Sequence, residues 1–141
     1  VSIVSSPKDP KTTENFPGSK EVLALEPEQA KEIEIDNQTA VVLMTHNYAR
    51  DLHFLLSIKD KHPFYIGILG STKRREKMYN ELIEMQTDIE FNFFDKLYGP
   101  AGIDIGAITP EEIAVAILAE ILAVKRGKSI PSLREKMGAI H

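Results

Sequence analysis

The first chemical opportunity in this sequence is a turn followed by a run of bases. Phe64-Tyr65-Ile66-Gly67-Ile68-Leu69-Gly70-Ser71 is an apolar run ending in small residues, and Thr72-Lys73-Arg74-Arg75-Glu76-Lys77 follows directly. The pattern predicts a buried strand, a sharp turn at Gly70 and a helix capped by Ser71. Free amides in that helix's first turn, with Lys73 and Arg74 beside them, favour an anion, most often a phosphate. The same residues also describe an ordinary strand-to-helix connection with a solvated basic face. Spacing alone does not separate the two readings.

A second punctuated segment adds weight. Tyr98-Gly99-Pro100-Ala101-Gly102-Ile103-Asp104-Ile105-Gly106-Ala107 is a glycine- and proline-rich loop carrying Asp104 at its centre. It leads into Thr109-Pro110-Glu111-Glu112, with a cap, a first-turn proline and acids in the order that starts a helix. Glu112 stands three residues after Thr109, as in a capping box. Asp104 could meet a ligand amide or hydroxyl, or tie down its own loop. His46 follows the run Ala40-Val41-Val42-Leu43-Met44-Thr45. It would stand at the carboxyl end of a strand, where open α/β sheets place ligands. A histidine that only caps its loop explains that position equally well. Glu111, Glu112 and Glu120 read as capping and surface charge.

These segments, in this order, resemble the C-terminal domain of the xanthine dehydrogenase accessory family (XdhC/CoxI). The resemblance runs from about Thr39 to Gly127. It rests on Ala40 to His46, on Gly67-Ile68-Leu69-Gly70-Ser71, on Gly99 to Ala107 with Thr109 to Ala114, and on Ile117-Leu118-Ala119-Glu120-Ile121. It implies a Rossmann-like domain in a protein that handles molybdenum cofactor (molybdopterin) for a molybdenum hydroxylase such as xanthine dehydrogenase. In that reading the chain is a cofactor-binding chaperone more than a turnover enzyme. His46, Gly70, Ser71, Lys73, Arg74, Gly102 and Asp104 are its cofactor-binding candidates, with no metal ligands. The alternatives are an NAD(P)-dependent oxidoreductase of the same fold and a dimerisation fragment. His46 has no acid/base partner in sequence, which favours binding and delivery over hydride transfer.

The elements that must position these residues alternate between strand and helix, which predicts an α/β parallel sheet with helices on both faces. Strands are expected at Val1–Val4, Val22–Leu25, Thr39–Met44 and Phe64–Leu69, with a single turn near Pro27–Lys31. Helices are expected at Tyr48–Lys59, through Leu52, Leu55, Leu56 and Lys59, and at Thr72–Met85, burying Met78, Leu82 and Met85. A last helix runs from Pro110 to Lys125 and ends at Gly127. Residues Asp88 to Leu97 place Phe91, Phe93 and Phe94 in the core.

No Gly-x-Gly-x-x-Gly occurs, and the chain opens on Val1-Ser2-Ile3-Val4. That run reads as the second strand of a Rossmann-like sheet. The first strand-helix unit would then lie upstream, leaving a break between Val1–Val4 and the strands Thr39–Met44 and Phe64–Leu69, and edges that recruit a second chain. Ser5-Ser6-Pro7 stands where an acidic ribose ligand is expected. The whole is taken as one domain over 1–141, with a basic-amphipathic tail at 128–141.

Composition narrows the function classes. The chain has 141 residues, enough for one sizeable core, and a net charge of −4 that argues against a duplex-binding surface. It contains no cysteine, which removes disulfides, thiolate zinc sites and a thiol nucleophile, and fits a reducing cytoplasm. The most apolar stretch, Ile113 to Val124, is too short for a membrane span and carries Glu120. A homo-oligomer with neither nucleic acid nor membrane as partner is expected.

Overall fold

The computed structural model describes residues 1–85, 89, 91–129 and 133, with Phe91 described by its backbone alone. Among these described residues, five strands and four α-helices follow one another: β1 (Ser2–Ser5), β2 (Glu21–Ala24), β3 (Ala40–Leu43), α1 (Tyr48–Ser57), β4 (Tyr65–Ile68), α2 (Thr72–Met85), α3 (Phe91–Asp95), β5 (Leu97–Tyr98) and α4 (Pro110–Lys125). A short 3-10 helix, Pro27–Glu32, lies between β2 and β3 and packs against α1. Every strand pairing is parallel.

Hydrogen bonding divides the strands into two sheets, β1-β2 and β3-β4-β5. β1 pairs with β2 and not with β3, so the break falls where the sequence places it. Val4 and Val41 nonetheless pack on one hydrophobic cluster that includes Leu43, Leu52, Leu55, Ile66, Ile68, Met78, Leu82 and Leu97. β4 runs between β3 and β5 and is buried from end to end. Its run of apolar residues without alternation suits a strand covered on both faces. Burying each large aliphatic side chain of this kind contributes about 1.5–3 kcal/mol.

The register brings the carboxyl ends of three strands to one edge. Leu43 lies opposite Ile68, and Gly67 opposite Tyr98. Just beyond the strands, Leu69 N–H donates to Leu43 O at 3.3 Å and Ala101 N–H to Ile68 O at 3.0 Å. The loops after β3, β4 and β5 therefore leave the sheet side by side.

Several expectations need correction. Met85 is 51% exposed and does not join Met78 and Leu82 in the core, because it falls on the last residue of α2. Glu120 is buried at 2% exposure and is no surface charge. In the aromatic stretch the chain forms α3 and the two-residue strand β5, neither of which periodicity suggested. Phe93 is buried and Phe94 packs beside it, as expected. Asp88, the Phe91 side chain and most of the expected tail lie outside the described residues. α4 begins as the sequence predicts: Thr109 Oγ1 accepts from Glu112 N–H at 3.2 Å, and Glu112 Oε1 accepts from Thr109 N–H at 3.3 Å.

Candidate functional site

Between β3 and α1 the chain must reverse within a few residues. Asn47 caps α1, its side chain accepting from Arg50 N–H at 3.1 Å. His46, immediately before it, takes the left-handed conformation at φ +60°, uncommon for a residue with a side chain. That conformation costs about 1–3 kcal/mol and persists only where the surroundings fix it. Here the fixing comes from Thr45. Its hydroxyl donates to Asp51 Oδ1 at 2.9 Å and accepts from Asn47 N–H at 3.2 Å.

Asp51 is the pivot of the site. It lies one turn into α1, on the stripe that also carries Leu55 and Ile58, and it is wholly buried. Its second oxygen accepts from Arg74 Nη2 at 3.0 Å, while Arg74 Nη1 donates to Leu69 O at 2.7 Å. The guanidinium thus ties α1, the end of β4 and α2 together. Removing one partner of such a buried pair costs about 3–5 kcal/mol, because the other charge is left without compensation. The Arg74 guanidinium also lies 5.7 Å from the centre of the Tyr48 ring, with Lys77 at 4.4 Å from that ring.

Around this pair is an open cavity of about 320 Å³, lined by Met44, His46, Asp51, Leu69, Gly70 and Arg74. The volume is at the small end of ligand sites. Gly70 turns at φ +123°, and a Cβ built there would stand 2.7 Å from Arg74 Cδ. Ser71 Oγ accepts from Arg74 N–H at 3.2 Å, starting α2. Lys73 is exposed on the first turn.

Of the sequence candidates, His46, Gly70 and Arg74 line one cavity, and Ser71 and Lys73 adjoin it along α2. Gly102 and Asp104 do not line it. Gly102 is buried against α4, and its N–H donates to Glu120 Oε1 at 2.9 Å. The same Glu120 oxygen accepts from Tyr65 Oη at 2.7 Å, and the Tyr65 ring stacks on Tyr98 at 4.8 Å. Asp104 is exposed on the loop beyond.

Sequence reasoning missed two residues. Asp51 sits among apolar positions at helical spacing, four residues before Leu55 and seven before Ile58. Glu120 sits likewise, four residues after Ala116 and three after Ile117. A lone acid on the buried stripe of a helix is the signal, since such a group must find a partner. Among the described residues no group of three or more His, Cys, Asp or Glu side chains is placed to hold a metal ion. No described helix is long and apolar enough to cross a membrane.

Residues 1–121 match the family described as the XdhC Rossmann domain. A probable xanthine dehydrogenase subunit of Bacillus subtilis (strain 168) is 32% identical over 116 residues, covering 82% of this chain and 32% of that protein. The molybdenum cofactor insertion chaperone PaoD of Escherichia coli (strain K12) is 32% identical over 92 residues, covering 65% of this chain and 28% of that protein. A solved structure described as a xanthine dehydrogenase from Bacillus halodurans superposes with a TM-score of 0.72 at 28% identity, over 91% of this chain and 36% of that one. The chain spans about a third of the length of these relatives. Its fold is a Rossmann-like α/β arrangement of parallel strands and helices. With the match running through β1 to β5 and most of α4, this chain belongs to the XdhC Rossmann domain family.

Proposed function

We propose that this domain is part of an accessory protein that holds molybdenum cofactor, a phosphate-bearing pterin, and delivers it to a molybdenum hydroxylase of the xanthine dehydrogenase kind. The observation that carries the proposal is the cavity at the carboxyl ends of β3 and β4, at whose rim α2 begins. Ligands of open α/β sheets bind in that position, and a helix N-terminus with a basic first turn suits an anion. The names of the relatives from Bacillus subtilis and Escherichia coli point the same way. A cysteine-free chain suits a reducing cytoplasm, where such delivery would take place.

The residues present fit an anionic group. Gly70 carries no side chain to cover the first turn of α2, and Lys73 supplies an exposed positive charge. Arg74 is committed to Asp51 and Leu69 O, so it shapes the wall and adds a partly balanced charge. His46 stands at the rim on a backbone held open by Thr45 and Asn47. When bound, the cofactor supplies the molybdenum chemistry, which the hydroxylase uses. This chain's own residues bind it and hold it at an open cavity from which it can leave.

The test is binding of purified molybdenum cofactor to the full-length protein. Lys73→Ala should weaken binding about 5-fold, the loss of one exposed charge beside a helix N-terminus. Arg74→Lys keeps a cation opposite Asp51 but loses the planar fork, and should weaken binding further. Rising salt should reduce affinity, since exposed charges are screened beyond about 8 Å at physiological ionic strength. Equal affinity in wild type and both variants, with unchanged melting curves, would remove this cavity from the function.

A further inference from the structure

α4 is apolar around most of its circumference, yet only one side of it is covered. Ala116, Ile117 and Glu120 are buried towards the body of the protein. On the opposite side Val115 is 59% exposed, Leu118 61% and Leu122 51%. At 3.6 residues per turn these positions form one stripe with Glu111 before them and Lys125 after them. Both end residues are exposed too. An all-round apolar helix is normally a buried one, so this stripe calls for a cover.

The order of charges along the stripe says what the cover is. Glu111 stands at the amino end, three aliphatic side chains occupy the middle, and Lys125 with Arg126 closes the carboxyl end. A second α4 laid antiparallel presents the same stripe reversed. Leu118 then meets Leu118 of the other copy, Val115 lies near Leu122, and each Glu111 faces Lys125 and Arg126 across the pair. A parallel arrangement would set glutamate against glutamate and lysine against lysine, with helix dipoles aligned unfavourably. The stripe is therefore self-complementary about a two-fold axis, as an isologous dimer requires. We propose that this chain self-associates through α4, two copies packing antiparallel with Leu118 at the axis.

The chain contains no cysteine, so an introduced thiol reports on one contact alone. In the full chain, Leu118→Cys should cross-link to a covalent dimer under mild oxidation. Glu111→Cys should not cross-link to itself, but should do so when mixed with Lys125→Cys. Sedimentation equilibrium should show a concentration-dependent dimer in wild type, weakened at least tenfold by Leu118→Asp. The single reversals Glu111→Lys and Lys125→Glu should each weaken the dimer, and their combination should recover most of the loss. Leu118 is exposed, so these variants should keep the wild-type circular dichroism. A wild-type chain that stays monomeric at every concentration would overturn the proposal, whether the stripe is covered by residues near the chain's own end or by another protein. A dimer indifferent to Leu118→Asp, or reversals whose losses simply add, would overturn it as well.

Discussion

After β4 the chain turns at Gly70 with φ +123°, and after β5 it turns at Gly102 with φ +116°. Both turns leave neighbouring parallel strands at the same edge of the sheet, and both follow apolar runs rich in small residues. Their surroundings are opposite. A Cβ on Gly70 would meet the Arg74 side chain at the wall of an open cavity. A Cβ on Gly102 would meet Ala116 Cβ at 3.2 Å and the Ala116 carbonyl carbon at 3.5 Å, in the packed contact with α4. Gly102 is held on both its polar atoms, its N–H by Glu120 and its carbonyl by Leu133 N–H at 3.1 Å. One glycine keeps a surface open and the other lets two elements close. A glycine turn at a strand end is thus no more than an invitation, answered by what stands over it.

The two buried acids follow the same division. Asp51 faces the cavity and holds Arg74 in place. Glu120 gathers Tyr65 Oη and the Gly102 amide on one oxygen beneath α4. Stripping a buried donor of its acceptor costs about 1–3 kcal/mol, so Glu120 fixes α4 against β4 and the loop after β5.

Gly102→Val should show the larger consequence. Backbone strain and overpacking against Ala116 each contribute about 1–3 kcal/mol, a large share of an ordinary domain's stability of about 5–15 kcal/mol. The denaturant midpoint should fall sharply or the protein fail to fold. A near-wild-type midpoint would show that α4 is free to move away, and the contrast with Gly70 would disappear.

Gly70→Ala should cost less: the positive φ contributes about 1–3 kcal/mol, and the new Cβ meets side-chain atoms of Arg74 and no backbone. Its distinctive effect should be on the cavity, where displacing Arg74 disturbs the Asp51 pair and reduces anion affinity. Inorganic pyrophosphate, titrated by calorimetry, is a suitable probe. Binding lost in Gly70→Ala and kept in a folded Gly102→Ala would sharpen the division between the loops, and the reverse would break it.

The smallest expected effect lies in alkali. The Tyr48 phenol, over which Arg74 and Lys77 sit, is pushed up to about 12, first by burial and then by the Glu81 carboxylate, with Arg74 pulling it down. Its oxygen has no hydrogen-bond partner of normal geometry among the described residues. The folded state holds the proton more tightly than the unfolded chain, whose phenols titrate near 10. The resulting stability is complete below about pH 10 and is lost as the pH rises towards about 12. Urea midpoints should fall over that interval in wild type and fall less in Tyr48→Phe. Parallel curves would mean that the Tyr48 phenol oxygen is not shielded from water beneath Arg74 and Lys77.

Much of this was legible before any coordinates. α2 and α4 match the expected spans residue for residue, because Ser71, Thr109, Pro110 and Gly127 punctuate them. β3 and β4 fall within the expected runs, trimmed at the ends where pairing stops. β5 was not legible, since two residues carry no periodicity and become a strand only by lying against β4. Among the site candidates, the three that line the cavity, His46, Gly70 and Arg74, stand at strand and helix ends, which local sequence signals mark. Asp51 was passed over, because nothing local shows which acid on a helix will be turned inward.

By itself, then, the order of residues determined the alternation of elements, the helix caps and the two glycine turns. These depend on backbone conformation and on contacts a few residues apart. Only the tertiary structure decided that Gly70 opens onto a cavity while Gly102 closes against Ala116. It also decided that Arg74 reaches Asp51, and that Glu120, fifty-five residues from Tyr65, is a buried acceptor and no surface charge. Those outcomes depend on which groups lose water together when the sheet and helices pack, and a buried charge or a missing Cβ takes its meaning from that neighbour alone.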